Sequence, residues 1–382
     1  GCGAEPHGFR QEKGLKMETM VDQKGNTHYV KDKIGIDGQG TLYSTKNSGI
    51  IVRETVADDN FENAAVLPLD ELPNILTPAE YLKAPKNGYV IHLPEGVIPL
   101  ENAGNLTLKR RLTILANMAK ILIKLHSMPI IYGSLSPLRI FIEPKTDEVY
   151  LLYSSKMDFC MRFTEENDAD TYVAPEAQKG QGCTLLSDVY TLGSFTTDFL
   201  DLEKIELLEE LKTLLDSTKK EPENRPKMSE LYKILFKQLD LLLTCKKCKD
   251  DFHYMAEKCP FCETPPPKML KASIYDVIEE NPVQRGLKIL EFAAKRQCFF
   301  NYHTENILLD TQIFPTIDCI LNITEGRRLN LIFKNLMPKT ISINGKTVSN
   351  NQATIVQLPC EIIKIEFPLY SEITRHIDLV MS

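Results

Sequence analysis

Four cysteines constrain this chain more than any other feature. Cys245-Lys246-Lys247-Cys248 and Cys259-Pro260-Phe261-Cys262 are two C-x-x-C pairs with a short loop between them. A two-residue gap turns both sulfurs of a pair towards one point, and four thiolates at one point suit tetrahedral zinc at about 2.3 Å. A complete sulfur shell leaves no open coordination position, so the expected zinc is structural. His253 lies between the pairs with no ligand place left to fill, and reads as a surface or packing residue. Lys246, Lys247, Lys249 and Lys258 would offset the negative charge of a zinc tetrathiolate. With so short a loop the module is expected to have almost no apolar core and to draw its folding energy from the metal.

The other six of the ten cysteines are scattered through core-forming sequence, which fits a reducing compartment better than a disulfide framework. Disulfide pairing of the quartet is the alternative, and a redox role lacks the thioredoxin strand-helix context. With 382 residues, 43% apolar and 25% charged, the chain can bury a sizeable core, and its length suggests about two to three domains. Lys and Arg number 45 against 52 Asp and Glu; the net charge of −7 opposes general attraction to nucleic acid or anionic membrane. No apolar run approaches the roughly 18 residues of a membrane span, and the polar start from Gly1 to Lys16 does not read as a signal sequence. A cytoplasmic protein is the expectation.

The quartet also divides the chain. Residues 1–30 are polar, with only Thr27-His28-Tyr29-Val30 resembling a strand; residues 31–243 run from short β segments into long helices. The zinc ribbon occupies 244–264, and Pro265-Pro266-Pro267 forms a stiff spacer at 265–267. Residues 268–382 read as a β-rich interaction domain with a short helical start at 283–296. Its β runs are 329–333, 340–348, 354–358, 362–367 and 376–381, with Asn344-Gly345 as the strongest hairpin signal. Here His303, His376, Cys298, Cys319 and Cys360 are unclustered, and Lys268, Lys271, Arg285, Lys288, Lys295 and Arg296 read as a solvated basic face.

Residues 31–243 carry an ordered set of motifs. Ile34-Gly35-Ile36-Asp37-Gly38-Gln39-Gly40-Thr41 is a glycine-rich turn between strand-like runs, followed by the strand-like Gly49-Ile50-Ile51-Val52-Arg53. Leu112, Leu115, Ala116, Ala119, Leu122 and Ile123 form the apolar face of a helix. That helix leads into Tyr132-Gly133-Ser134-Leu135-Ser136-Pro137-Leu138-Arg139, then Val149-Tyr150-Leu151-Leu152-Tyr153, Ala174-Pro175-Glu176, Ser187-Asp188-Val189-Tyr190 and Arg225-Pro226.

In this order and spacing the series resembles the protein kinase superfamily, from about residue 30 to residue 240. The resemblance implies a two-lobed protein-kinase-like fold; followed by the four-cysteine zinc ribbon and the small β-rich domain read above, that fold gives an expected α+β chain. It implies that Glu176 pairs with Arg225 and that Asp188 braces the catalytic loop. It also implies that Gly35, Gly38, Gly40 and Arg53 face any bound nucleotide, with Arg53 in the place of the phosphate-pairing lysine. The residues leave ATP binding open, because Asp37 brings negative charge to the turn; Glu54, Glu62 and Glu71 are each candidates to pair with Arg53.

What the family needs for phosphoryl transfer is missing. Its catalytic Asp, Lys and magnesium-binding Asn align with Ser134, Ser136 and Arg139, and the second magnesium ligand aligns with Tyr153. Serine is no base near neutral pH without an activator, and arginine repels magnesium. Asp158-Phe159-Cys160 imitates the D-F-G motif five residues later; choosing it instead would lengthen the preceding hairpin. The implied function is that of a pseudokinase, a scaffold or allosteric regulator working through protein contacts. The alternatives are an atypical enzyme that transfers phosphate or a nucleotidyl group from ATP, and a nucleic-acid adaptor, which the net charge disfavours. A weaker likeness is to bacterial serine/threonine kinase-like proteins associated with tellurite resistance, which implies a von Willebrand A-domain protein or a phosphatase as partner.

Overall fold

The computed structural model describes residues 18–55, 62–160, 172–201, 209–291, 297–300, 317–323, 329–370 and 372–381. They form a mixed α/β chain with several sheets and a four-cysteine cluster.

A six-stranded antiparallel sheet comes first, in the order Thr19–Val21, Thr27–Asp37, Gly40–Thr45, Ile50–Thr55, Gly88–His92 and Glu80–Tyr81. Alternation along its central strands sends Leu42, Ile51, Tyr89 and Ile91 into the main core, while Met20, Val52, Leu82 and Val90 form a smaller cluster. Arg53 shares the inward face, since it pairs with Leu42 on one side and Tyr89 on the other. The strand Thr27–Asp37 runs straight through the expected division at residue 30, so residues 18–30 belong to this sheet. Gly40 is required where the strands meet: a Cβ there would lie 2.1 Å from the Glu54 carbonyl oxygen, and its φ is +137°.

The helix Leu108–Ser127 is capped by the Thr107 hydroxyl, which accepts from the Arg110 amide, and buries Leu112, Leu115, Ala119 and Leu122 as the apolar spacing predicts. It packs against the helices Leu185–Leu200 and Met228–Asp240. A four-stranded sheet (Ile75–Leu76, Glu148–Leu152, Ile140–Glu143, Ile98–Pro99) and the pair Ile130–Ile131 with Asp158–Phe159 complete this part. Among the described residues no helix is long and apolar enough to cross a membrane.

The cysteine module is a hairpin of Leu242–Thr244 with Asp251–His253. Beyond it, two sheets share one core. One runs Asn281–Glu291, Met269–Ile278, Ile373–Met381, Ile363–Tyr370, Ile341–Ile343 and Lys346–Val348; the other runs Gln297–Phe300, Ile317–Ile323, Leu329–Asn335 and Ala353–Gln357. Ile274, Ile343, Ile365 and Ile377 from the first meet Cys319, Leu331, Phe333 and Val356 from the second. Asn344-Gly345 does make a hairpin turn, with both residues at positive φ.

The expected helix at 283–296 is a strand as far as it is described. Asn281–Glu291 pairs along its whole length with Met269–Ile278. Glu279 and Glu280 supply the two-residue turn at φ 48° and 66°, a conformation that Asn-Gly would have announced and Glu-Glu conceals. The basic face expected there dissolves with the helix: Arg285 pairs with Asp276, Lys288 with Asp240, and Lys271 lies over the Tyr254 ring. Lys295, Arg296 and His303 lie outside the described residues.

Candidate functional site

The glycine-rich turn folds onto the segment Pro137–Arg139. A Cβ on Gly35 would sit 2.3 Å from Leu138 Cδ2, so any larger residue there would have to displace that side chain. At the tip of the strand, the Asp37 carboxylate takes an ion pair from Arg53 on one oxygen and from Arg139 Nε on the other, the latter at 3.0 Å. Both arginine side chains are 1% exposed. Arg139 also donates to the Ser134 carbonyl at 2.8 Å and to Ser154 Oγ at 3.1 Å. Gln39 closes the group: its backbone amide donates to Asp37 Oδ1 at 2.9 Å, and its side-chain amide lies against Ser154 Oγ at 3.1 Å, where turning its oxygen inward would let it accept from Arg139. Burial pushes the Asp37 carboxyl up, but the charges and hydrogen bonds of Arg139 and Arg53 outweigh it and hold the group below the ordinary carboxylate value.

The four residues expected to face a nucleotide are therefore in one place, with Arg53 already engaged by the chain's own carboxylate. Its Nε and Nη1 have no hydrogen-bond partner among the described residues. Of the glutamates considered for it, Glu54 binds Lys86 instead, at 2.5 Å.

Ser134 and Ser136 are buried beside Arg139, and the Ser136 hydroxyl has no hydrogen-bond partner among the described residues. Tyr153 directly follows the strand Glu148–Leu152 and is buried, edge-on to Tyr89 at 6.4 Å. Asp158 and Phe159 lie in a two-residue strand against Ile130 and Ile131. The Asp188 carboxylate accepts from the Tyr132 and Gly133 amides at 2.9 Å each, which fixes the loop ahead of Ser134, and it meets His126 Nε2 at 3.0 Å. Glu176 and Arg225 form a bidentate pair at 2.6 and 2.8 Å. Ser187 donates to Glu176 at 2.8 Å, and the Tyr190 ring lies 5.1 Å from the guanidinium. Despite its burial, the Glu176 carboxyl is held below its ordinary value by Arg225 and Ser187.

The sulfurs of Cys245, Cys248, Cys259 and Cys262 all lie within 4.8 Å of one another, with Cys245 and Cys262 at 3.4 Å and Cys248 and Cys259 at 3.6 Å. Tetrahedral zinc–sulfur bonds of about 2.3 Å put the sulfurs about 3.8 Å apart, whereas a disulfide needs about 2.05 Å. The cluster fits a zinc ion. Thr264, whose Oγ1 is 3.3 Å from Cys262 Sγ, helps bring that thiol down to about 6, near the thiolate a metal needs. His253 stands outside the set, against Tyr254.

The module is not coreless, contrary to the expectation from its short loop. Leu241, Leu243, Phe252, Met269 and Ile289 pack with Cys245 and Cys259 in one apolar cluster that draws on segments before and after the quartet. A loop count cannot show a core that distant segments supply.

Asp37 is the site residue that the sequence undervalues: it reads as a hindrance to phosphate, and the available signal is the pair Arg53 and Arg139, two cations in need of an anion. Asp251, Lys109 and Glu291, which join three parts of the chain, gave no signal, being up to 182 residues apart. The chain matches no family model and no curated protein.

Proposed function

We propose that the chain is a protein-kinase-like scaffold or allosteric regulator that acts through protein contacts and does not transfer phosphate. The ordered motifs support this reading, and so do the Glu176–Arg225 pair and the Asp188 brace, which are the interactions the resemblance implies. Phosphoryl transfer depends on positioning and on metal charge at the phosphates. Here the positions that would supply base and metal ligands hold Ser134, Ser136, Arg139 and Tyr153.

One observation carries the proposal: the Asp37 carboxylate lies between Arg53 and Arg139. The two cations best placed to draw in a phosphate already hold an anion, and the same contact draws the glycine turn onto Leu138. A nucleotide would have to break a buried ion pair to enter.

Thermal-shift measurements with ATP, with and without magnesium or manganese, test this together with label transfer from radiolabelled ATP. The expected result is no metal-dependent stabilisation and no transfer. Metal-dependent stabilisation accompanied by transfer to protein would replace the scaffold with an atypical transferase. The partner sought is a protein, with von Willebrand A-domain proteins and phosphatases the first candidates.

A further inference from the structure

The cysteine hairpin is tied to the helix Leu108–Ser127, the longest among the described residues, by a backbone cap and a buried ionic cluster. Asp251, the first residue of the strand Asp251–His253, accepts the backbone amide of Lys109 on Oδ2 at 2.9 Å. Lys109 is the second residue of the helix Leu108–Ser127, whose first turn holds no acidic residue of its own. Asp251 thus caps that helix from outside, satisfying an amide and placing a negative charge at the positive end of its dipole.

The Lys109 side chain returns the contact. Its Nζ donates to Thr244 Oγ1 at 2.8 Å and to Glu291 Oε1 at 3.2 Å, and lies 3.8 Å from Asp251 Oδ1. Thr244 donates its hydroxyl to Asp251 at 2.8 Å and its amide to Glu291. Glu291 ends the strand Asn281–Glu291, so helix, hairpin and C-terminal sheet meet at one cluster. The Asp251 and Glu291 side chains are 3% and 9% exposed, so each depends on its partners staying in place.

Those partners adjoin the cysteines. Thr244 adjoins Cys245, and the Cys245 amide donates to the Asp250 carbonyl at 2.8 Å. The hairpin between them has only three residue pairs, too few to persist alone. The shared core of Leu243, Phe252, Met269 and Ile289 supplies part of what it lacks, and four sulfurs gathered on one ion would supply the rest.

We infer that metal occupancy of the cysteine cluster is relayed to the start of the helix Leu108–Ser127 through Asp251 and Lys109, making the module a metal-dependent joint between the helical part and the C-terminal sheets. With zinc bound, the joint is closed. Without it, the cap is lost and the contact of Lys109 with Glu291 opens. This inference stands on the cluster alone and is independent of the kinase-like reading.

Hydrogen exchange on the full chain tests it, with zinc bound, after chelation confirmed by metal analysis, and after zinc is restored. Chelation should speed exchange of the amides at 108–112 about fivefold or more, reversibly, while those at 51–54 and 231–235 keep their rates. Asp251→Asn with zinc bound should show the faster exchange already, and chelation should add little at 108–112. Lys109→Met should loosen the contact at residue 291 without releasing zinc. Exchange confined to 245–262 after chelation would overturn the inference. So would loss of protection throughout the chain, because the metal would then support the whole fold and not a joint.

Discussion

Arg139 reaches 102 residues back along the chain to bind Asp37, its Nε donating to the carboxylate at 3.0 Å in a setting where the arginine side chain is 1% exposed. A contact so long in sequence and so dry has large consequences when one side is removed. Breaking a buried pair strands the surviving charge, whereas apolar replacement of the whole group is often tolerated.

Asp37→Asn should therefore lower unfolding free energy by about 3–5 kcal/mol, because two buried guanidinium groups lose their shared carboxylate. Urea denaturation followed by circular dichroism measures this. A loss below about 1 kcal/mol, the level of an exposed pair, would mean that water reaches the arginines.

Gly35→Ala should cost about 1–3 kcal/mol, since the new methyl would meet Leu138 Cδ2 at 2.3 Å. The obstacle is the end of one side chain, so Leu138→Ala in the same molecule should recover much of the loss. A double-mutant cycle reads the coupling directly. Additive effects would show that the Leu138 side chain is not what a methyl at residue 35 meets.

The second of these contacts was only half legible in the sequence, in its glycine and not in its leucine. Glycine spacing located the turn, and Glu176, Asp188 and Arg225, singled out in the sequence, do meet in an ion pair and in backbone hydrogen bonds. Apolar periodicity found the helix Leu108–Ser127 because burial of one face imposes a period. It failed at 283–291, where the turn residues Glu279 and Glu280 take a positive φ that their side chains do not advertise. Leu138 against Gly35, and Lys109 against Asp251 and Glu291, were invisible for a plainer reason. Tertiary contacts carry no spacing, and only the fold brings their members together.

The cysteine cluster should bind one zinc per chain. Elemental analysis of purified protein should find that ratio, and Cys248→Ser or Cys262→Ser should bring it below about half, since a tetrathiolate shell missing one sulfur holds metal far less tightly. Phe252→Ala, which leaves all four ligands, should cost about 3–5 kcal/mol by opening the shared core of Leu243, Met269 and Ile289. Unchanged metal content in the two serine variants would remove the cluster as the binding site.

Acid should weaken the fold in a defined window. The Asp22 carboxyl is pushed up by burial but brought down further by hydrogen bonds from Asn26 and His28, to about 2 from an ordinary 3.8. Asp37, Glu176 and Asp276 are likewise lowered, each against the pull of burial: Asp37 by Arg139 and Arg53, Glu176 by Arg225, and Asp276 by Arg375 and Arg285. For a lowered carboxyl the unfolded chain takes up its proton first as pH falls, so protons favour unfolding between the unfolded and folded values. The stabilisation from these four groups is thus fully present above about pH 5 and is lost progressively below about pH 4. Urea midpoints should be level from pH 7 to 5 with respect to these groups and fall steeply towards pH 2. Asp22→Asn should start less stable and fall less steeply between pH 4 and 2, because one proton-binding difference has been removed. An acid limb of the same slope in that variant would show that Asp22 titrates alike in the folded and unfolded chain, and that its contacts with Asn26 and His28 do not favour the ionised form.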